Sequence, residues 1–232
     1  MKIFIVRHGQ TFSNVNGIIQ GQNKDSGLTK VGIAQAKRIG KRLKETVFHN
    51  LYTSDLGRAI QTTEIINKYT KCENVETNAF LQERKFGILE GMTLKEINEK
   101  YSRENFPWRN NFKDAPPNGE SIDSVINRVQ LFVNFLLSKS KEDSNILIVT
   151  HGGIVRALVL SILGLNTDFW NNFNFKNGSI TAFEIKDRPV LLFANDTYHL
   201  DVSKEDFEGD EVDNKALNEE CAVSNILTIS EQ

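Results

Sequence analysis

The sequence predicts an α/β fold, a three-layer sandwich in which helices flank a mostly parallel central sheet. Short runs of apolar, often β-branched residues alternate along the chain with segments whose apolar residues recur at helical spacing, as is typical of such sandwiches. The chain has 232 residues, of which 39% are hydrophobic, so it can bury one sizeable core without disulfides or metals. We therefore expect one principal domain.

The predicted strands are short apolar runs bounded by polar or glycine-containing segments. They lie at residues 3–6, 50–53, 146–149, 179–186 and 190–195. A polar segment with four glycines, Gly9 to Gly27, follows the first strand and is predicted to be a loop. Residues 105–119 contain three of the four prolines and are also predicted to be a loop.

Five helices are predicted from capping signals and from apolar spacing. Thr29 is a good N-cap, and Thr93 with Glu96 has the capping-box pattern. The five helices are expected at about residues 30–43, 55–69, 93–101, 121–136 and 153–163. In the second of these, Leu56, Ile60 and Thr63 are expected to share the buried face. In the fourth, the expected buried positions are Ile122, Val125, Val129, Phe132 and Leu136.

Charge divides the chain into two parts. Residues 201–232 hold ten acidic side chains and two lysines, whereas residues 1–200 hold 26 basic and 20 acidic side chains. We interpret residues 1–200 as the domain and residues 201–232 as an acidic, mostly disordered tail. The excess of positive charge in the domain is explained either by an ordinary solvated surface or by attraction for an anionic substrate.

Several classes of protein are disfavoured by the sequence. No apolar run is long enough to cross a membrane, and the first residues lack the features of a signal peptide. No basic run with interleaved aromatic residues indicates nucleic-acid binding. Cys72 and Cys221 are far apart, so a disulfide framework or a zinc cluster is not expected. We expect a cytoplasmic protein without membrane or nucleic-acid partners.

Two of the four histidines share the same local pattern. His8 and His151 each follow a predicted strand and precede glycine. Ligands of open α/β sheets bind at the carboxyl ends of the strands, so both histidines are candidates for catalysis. Arg7 precedes His8, and Arg58 lies just beyond the strand at residues 50–53. Arginine suits phosphate oxygens because its planar fork carries several donors.

The sequence lacks the motifs of other enzymes that act on phosphate groups. The sequence has no G-x-x-x-x-G-K-[ST] loop, no Asp-x-Asp pair, and no cysteine followed by arginine six positions on. Residues 119–123 miss the nucleophile-elbow pattern at the last position. The histidines have no metal-ligand spacing. A histidine nucleophile surrounded by arginines, without metal or cofactor, is the chemistry that remains.

The segment Val6–Thr11, followed by Asn14, resembles the signature of the histidine phosphatase superfamily, also called the phosphoglycerate mutase-like family. Further blocks agree in order along roughly residues 3–200. They are Gln20-Gly21 with Asp25, Leu28–Ala36, Ser54–Thr62, Leu81–Gly91, Asn118–Ser121 and Thr150–Gly152. The resemblance implies the phosphoglycerate mutase-like version of the sandwich predicted above.

The resemblance also implies residue roles. His8 would be the nucleophile that carries a phosphohistidine, and Glu83 the acid that protonates the leaving alcohol. Glu90 and Glu120 stay open as alternatives for that acid. Arg7, Arg58 and His151 would surround the transferring phosphoryl group. The expected substrate-binding residues are Asn14, Gln20, Gly21, Arg84, Lys85 and Gly152.

The function implied is a metal-independent phosphatase that acts on small phosphorylated metabolites. Residues 17–22 and 82–91 look most similar to the fructose-2,6-bisphosphatase-like branch, which implies sugar bisphosphate substrates and regulation of glycolysis. Phe86 stands where mutases usually have tyrosine, which favours hydrolysis. The alternatives are phosphoglycerate mutase-type transfer, a protein phosphatase, and a regulatory scaffold that acts through an unknown partner of the acidic tail.

Overall fold

A six-stranded sheet forms the centre of the molecule. The computed structural model describes residues 1–23, 25–101, 112–141 and 143–200. The strands are β1 (Lys2–Arg7), β2 (Asn50–Thr53), β3 (Val75–Thr77), β4 (Asn145–Thr150), β5 (Ile180–Ile185) and β6 (Pro189–Asp196). Their order across the sheet is β3-β2-β4-β1-β5-β6.

The sheet is parallel on one side and antiparallel on the other. β1, β2, β3 and β4 pair in parallel, whereas β5 runs antiparallel to β1 and β6 antiparallel to β5. The predicted fold class is therefore confirmed, and all five predicted strands are present. The short strand β3 was not predicted because its exposed sequence, Val-Glu-Thr, carries no apolar pattern.

Helices cover both faces of this sheet. They are α1 (Phe12–Val15), α2 (Lys30–Leu43), α3 (Gly57–Thr70), α4 (Leu94–Lys100), α5 (Ile122–Lys139) and α6 (Gly152–Leu163). Strand β4 shows how the layers are built, because its side chains alternate between the faces. Ile146 and Ile148 belong to the core shared with α5 and α6. Leu147 and Val149 belong to the core shared with α2 and α3.

The capping signals are confirmed. Thr29 accepts a hydrogen bond from the backbone of Gly32 at the start of α2, and Thr93 with Glu96 forms a complete capping box on α4. All five expected positions of α5 are buried. The predicted face of α3 is wrong in part, because Leu56 and Ile60 are only half-buried. The buried face of that helix is Arg58, Ala59, Thr62, Thr63 and Ile66.

Short helical turns that were not predicted also occur. The four-residue α1 lies within the segment 9–27, and 3₁₀ turns occur at Ala79–Leu81, Gly87–Leu89, Thr167–Asn172 and Tyr198–Leu200. Much of the loop expected at 105–119 and the whole tail expected at 201–232 fall outside the described residues. Within the described part of the chain, no helix is long and apolar enough to span a bilayer.

Candidate active site

The carboxyl ends of three neighbouring strands meet at one edge of the sheet. Arg7 of β1 lies opposite Thr150 of β4, and Thr53 of β2 lies opposite Val149 of β4. The residues that follow these strands are therefore brought together. The ring centroids of His8 and His151 are 5.2 Å apart.

His8 is held as a neutral imidazole with a defined tautomer. The ring is 3% exposed, and its Nδ1 lies 2.7 Å from the carbonyl oxygen of Gly9. A carbonyl can only accept, so Nδ1 carries the proton and Nε2 keeps its lone pair. Burial, followed by the charges of Arg58 and Arg7, holds the pKa of His8 well below its ordinary value of 6.5. Nε2 is thus available as a nucleophile at neutral pH.

His151 is also neutral and has both ring nitrogens engaged. Arg58 Nε donates to His151 Nδ1 at 3.1 Å, which places the ring proton on Nε2. That nitrogen lies 2.8 Å from Ser54 Oγ and donates to it. Burial, with the nearby Arg58 charge as the next cause, lowers the pKa of His151 well below 6.5. A bound phosphate dianion would oppose this shift and favour the protonated ring.

Arg58 is the most buried cation of the site. It is 1% exposed, and its Nη1 donates to Asp25 Oδ1 at 2.8 Å. Its Nη2 donates to the carbonyl oxygen of Gly21 at 2.8 Å. Gly21 has a φ of +55°, and a Cβ there would collide with the Glu90 carboxylate. In this structure the carbonyl group of Gly21 orients Arg58, and the predicted contact of Gly21 with substrate stays a prediction.

Arg7 reaches the same site from the end of β1. Its Nη1 donates to the carbonyl oxygen of Phe175 at 2.6 Å. The first residue of α6, Gly152, packs against its guanidinium, and a Cβ at that position would lie 3.3 Å from Arg7 Nε. Gly152 thus lets the helix approach Arg7 closely, and its predicted contact with substrate stays a prediction.

Glu83 lies at the amino-terminal end of α6. One carboxylate oxygen accepts from the backbone amide of Arg84 at 2.7 Å, and the other accepts from that of Gly153 at 3.2 Å. A side chain at Gly153 would collide with this carboxylate. An amide at the start of α6 thus binds the Glu83 carboxylate, as helix amino-terminal ends favour anionic groups.

The two alternative carboxylates have structural partners. Glu90 accepts hydrogen bonds from the backbone amides of Gln22, Asn23 and Phe86. Glu120 accepts from Arg128, whose Nε lies 2.8 Å from Oε1. Both carboxylates tie loops together, and Glu83 is likewise bonded to two backbone amides. What distinguishes Glu83 is its bond to Gly153, two residues after His151, and its role as the acid stays a prediction.

Asn14 and Gln20 lie in the loop region that follows β1. Asn14 Oδ1 accepts from the backbone amide and the hydroxyl of Thr11, at 3.0 and 2.9 Å. Gln20 is buried, and its Nε2 donates to Thr11 Oγ1 at 2.9 Å while its Oε1 accepts from Ser26. These two bonds fix Gln20 within the loop, and its predicted contact with substrate stays a prediction.

Arg84 and Lys85 follow Glu83. Arg84 Nε donates to the carbonyl oxygen of Glu120 at 2.8 Å, and its guanidinium lies 5.2 Å from the centre of the Phe86 ring. Burial lowers the pKa of Arg84. The backbone amide of Lys85 donates to Glu120 Oε2 at 2.9 Å. These contacts fix the segment, and binding of a second phosphate by the two side chains stays a prediction.

Two residues near the site were missed by the sequence reasoning. Asn177 donates to the carbonyl oxygen of His8 at 3.0 Å. Arg156 lies over the ring of Trp170, 5.8 Å from its centroid, and interacts electrostatically with Glu83 and Arg7. Arg156 follows His151 by five positions, one helical turn into α6, and this spacing could have identified it. Asn177 carries no such signal.

The assembled groups suit phosphoryl transfer. The neutral imidazole of His8 lies near the guanidinium groups of Arg58 and Arg7, and the Glu83 carboxylate is bonded to Gly153, two residues after His151. These are the types of group that such chemistry requires. Among the described residues, no group of three histidine, cysteine or acidic side chains is placed to hold a metal ion.

Acidification is expected to destabilise the fold through His8 and His151. Both have a lower pKa in the fold than the ordinary 6.5 of an unfolded chain. The unfolded state therefore binds more protons below pH 6.5, so the stability is fully present above that pH and is lost as the pH falls. For each histidine the loss approaches about 1 kcal/mol per pH unit once the unfolded side chain is mostly protonated. Urea unfolding of wild type and His8→Asn between pH 7 and 5 measures it, and equal pH slopes would contradict it.

Known proteins resemble this chain over most of its length. Residues 3–197 match the family described as the histidine phosphatase superfamily (branch 1). A probable phosphoglycerate mutase of Proteus mirabilis is 33% identical over 211 residues, which cover 86% of this chain and 95% of that protein. A broad-specificity phosphatase of Saccharomyces cerevisiae is 34% identical over 209 residues, which cover 86% of this chain and 87% of that protein.

Solved structures are similar over the same region. YhfR of Bacillus stearothermophilus has a TM-score of 0.79 and 28% identity, with 86% of this chain and 99% of that chain covered. A mycobacterial glucosyl-3-phosphoglycerate phosphatase in complex with VO3 has a TM-score of 0.74 and 29% identity, with 82% and 96% covered. Because the family match spans nearly all of the described chain, the protein belongs to the histidine phosphatase superfamily.

Proposed function

We propose that this protein is a metal-independent phosphatase that hydrolyses small phosphate monoesters through a phosphohistidine on His8. The observation that carries the proposal is the state of His8. Its proton is fixed on Nδ1 by Gly9, and the nearby guanidinium groups of Arg58 and Arg7 help to keep the ring neutral. A neutral nucleophile next to cations suits attack on an anionic phosphorus centre.

The reaction proceeds in two steps, formation and hydrolysis of the phosphohistidine. His8 Nε2 bonds to phosphorus while the ester P–O bond breaks, and protonated Glu83 gives its proton to the leaving oxygen. Water then attacks phosphorus, ionised Glu83 takes a proton from that water, and the P–N bond breaks. Inorganic phosphate leaves, His8 regains its lone pair and Glu83 is again protonated.

The cations stabilise the charge that is shared by the equatorial oxygens during both steps. Arg58 is rigid because Asp25 and Gly21 hold two of its nitrogens, so little reorganisation is needed at the moment of transfer. His151 and Asn14 are further donors to the same oxygens in this proposal. For His151 this requires the bound phosphate to draw the Nε2 proton away from Ser54.

Small metabolites are the substrates that best fit a buried nucleophile. His8 is 3% exposed, so a phosphorylated side chain on a folded protein would reach it less readily than a free metabolite. Relatives include a broad-specificity phosphatase and a glucosyl-3-phosphoglycerate phosphatase, which supports sugar and glycerate phosphates as a class. Fructose-2,6-bisphosphate is one specific candidate within it, with Arg84 and Lys85 as partners of the second phosphate and a role in regulating glycolysis.

A phosphoglycerate mutase is the second candidate, because a probable phosphoglycerate mutase is 33% identical to this chain. The two activities differ in the fate of the phosphoryl group. Release of inorganic phosphate without a bisphosphoglycerate primer would support the phosphatase. Interconversion of monophosphoglycerates that depends on such a primer would support the mutase.

The experiment that tests the proposal combines a substrate screen with a chemical trap. The purified chain is treated with EDTA and incubated with a panel of phosphorylated metabolites, and the reaction is quenched in alkali for mass analysis. We expect phosphate release together with a phosphoryl adduct on His8 that acid removes. Loss of activity with EDTA, or an adduct on another residue, would contradict the proposal.

We further propose that residues 1–200 form the catalytic domain and that the acidic tail, 201–232, is not needed for turnover. The family match ends at residue 197, which supports this division. A chain that ends at residue 200 is expected to keep the kcat of the full chain. A large loss of kcat would refute the division.

The alternative proposal is that the acidic tail regulates the protein by binding a partner protein. Unchanged turnover with loss of a bound protein on truncation would support such a role. For the domain itself we propose a cytoplasmic location, where phosphorylated metabolites occur, and no nucleic-acid or membrane partner.

A further inference from the structure

Asn177 has a buried side-chain amide that contacts the segment from His8 to Asn14. It lies just before β5 and is 3% exposed. Its Nδ2 is 3.0 Å from the carbonyl oxygen of His8, 3.3 Å from that of Gly9 and 3.2 Å from Asn14 Oδ1. These three oxygens are acceptors, so the NH₂ group of Asn177 must face them, with its two hydrogens shared among the three. The same nitrogen also lies 3.5 Å from His8 Nδ1.

The first consequence concerns the nucleophile. The carbonyl oxygen of Gly9 accepts from His8 Nδ1 at 2.7 Å, and this bond determines which ring nitrogen is the nucleophile. Asn177 donates to that same oxygen and to the adjacent one of His8. It therefore fixes the position of the backbone group that orients the imidazole.

The second consequence concerns Asn14. Its Oδ1 already accepts from the amide and the hydroxyl of Thr11, and Asn177 adds a third donor to it. With three donors on Oδ1, the amide of Asn14 cannot flip without losing them. The Nδ2 group is thus the one that Asn14 offers to a phosphate oxygen.

We propose that Asn177 is a positioning residue that aligns the nucleophile His8 and the phosphate donor Asn14 with each other. This inference rests on the proposed phosphatase function. Asn177 itself does not touch substrate. The NH₂ group of Asn177 contacts both the backbone that orients the His8 imidazole and the side chain of Asn14. Both of these side chains must approach the same phosphorus centre.

Replacement of Asn177 with alanine is expected to lower kcat by about 10- to 100-fold, because small misplacements of reacting groups have effects of this size. KM is expected to change much less, since the arginines that bind phosphate remain. The matched control is Asn67→Ala. Asn67 also bridges backbone groups, accepting from Cys72 N at 2.8 Å and donating to Cys72 O at 3.0 Å, but it lies at the end of α3 away from the site. That variant is expected to lower Tm and to keep kcat.

A double-mutant cycle separates positioning from general stabilisation. Asn14→Ala and Asn177→Ala are measured singly and together, at a temperature where all variants are folded. Because Asn177 acts partly through Asn14, the combined loss of kcat is expected to be smaller than the product of the single losses. Single losses that simply multiply, or wild-type kcat in Asn177→Ala, would overturn the inference.

A spectroscopic readout tests the inference independently of activity. Nitrogen NMR of histidine-labelled protein is expected to show His8 with its proton on Nδ1 in wild type and a mixture of tautomers in Asn177→Ala. An unchanged tautomer would count against a positioning role toward His8. If wild type forms no phosphohistidine at all, the proposed function fails, and the NMR comparison still decides the role of Asn177.

Discussion

Replacing His8 with alanine is expected to reduce phosphatase turnover by about 10⁴-fold or more, because removal of a covalent nucleophile abolishes the two-step route. The arginines and Glu83 would remain, so substrate should still bind. We therefore expect phosphate esters to protect the variant against thermal unfolding as they protect wild type. Phosphate release and thermal shift, measured on the same preparations, check both statements.

The control for this variant is His49→Ala. His49 is an exposed histidine at the opposite edge of the sheet, where its Nδ1 accepts from the backbone amide of Asn145 at 3.1 Å. Its loss is expected to leave turnover unchanged. Substantial phosphatase activity in His8→Ala, with the same substrate preference as wild type, would mean that another group attacks phosphorus.

The location of the site could be predicted from the sequence because it depends on short-range patterns. Two apolar runs, each followed by His-Gly, identify strand ends, and parallel strands place such ends at one edge of the sheet. The structure pairs Val6 with Val149 directly, so His8 and His151 become neighbours. Fold class followed from the same alternation of strands and helices.

The contacts that tune the site could not be predicted in this way. Glu83 meets Gly153 across 70 positions of the chain, and Asn177 meets His8 across 169. No periodicity links such residues, because loops carry them and tertiary packing alone brings them together. Asp25 matched a family block, but only the structure reveals that its carboxylate anchors Arg58.

Helix α3 shows why apolar spacing fails near a functional site. Its spacing predicted a buried face through Leu56 and Ile60, which are only half-buried. The buried face instead contains Arg58, Thr62 and Thr63, because this side of the helix lines the site and its polar groups are paired there. Thr62 Oγ1, for example, accepts from the backbone amide of Gly9 at 3.1 Å. Function thus overrides the hydrophobic pattern locally.

Glu83→Gln is expected to slow hydrolysis of alkyl phosphates by about 10²- to 10⁴-fold, the range for loss of a general acid or base. The size of the effect on the first step should depend on the leaving group. An alkoxide needs a proton to leave, whereas p-nitrophenolate does not. With p-nitrophenyl phosphate we therefore expect a burst of nitrophenol close to the wild-type rate, followed by slow turnover as phosphohistidine accumulates, because the water of the second step has lost its base.

The control for this prediction is Glu90→Gln, which also removes a carboxylate that accepts from backbone amides. Glu90→Gln should lower stability. It should leave the ratio of the alkyl phosphate rate to the p-nitrophenyl phosphate burst rate as in wild type, because a misplaced loop affects both leaving groups alike. Rapid-quench kinetics with both esters measures the ratio. If Glu83→Gln slows the burst with p-nitrophenyl phosphate as much as it slows the alkyl ester, the carboxylate positions the loop, and the proton comes from another group.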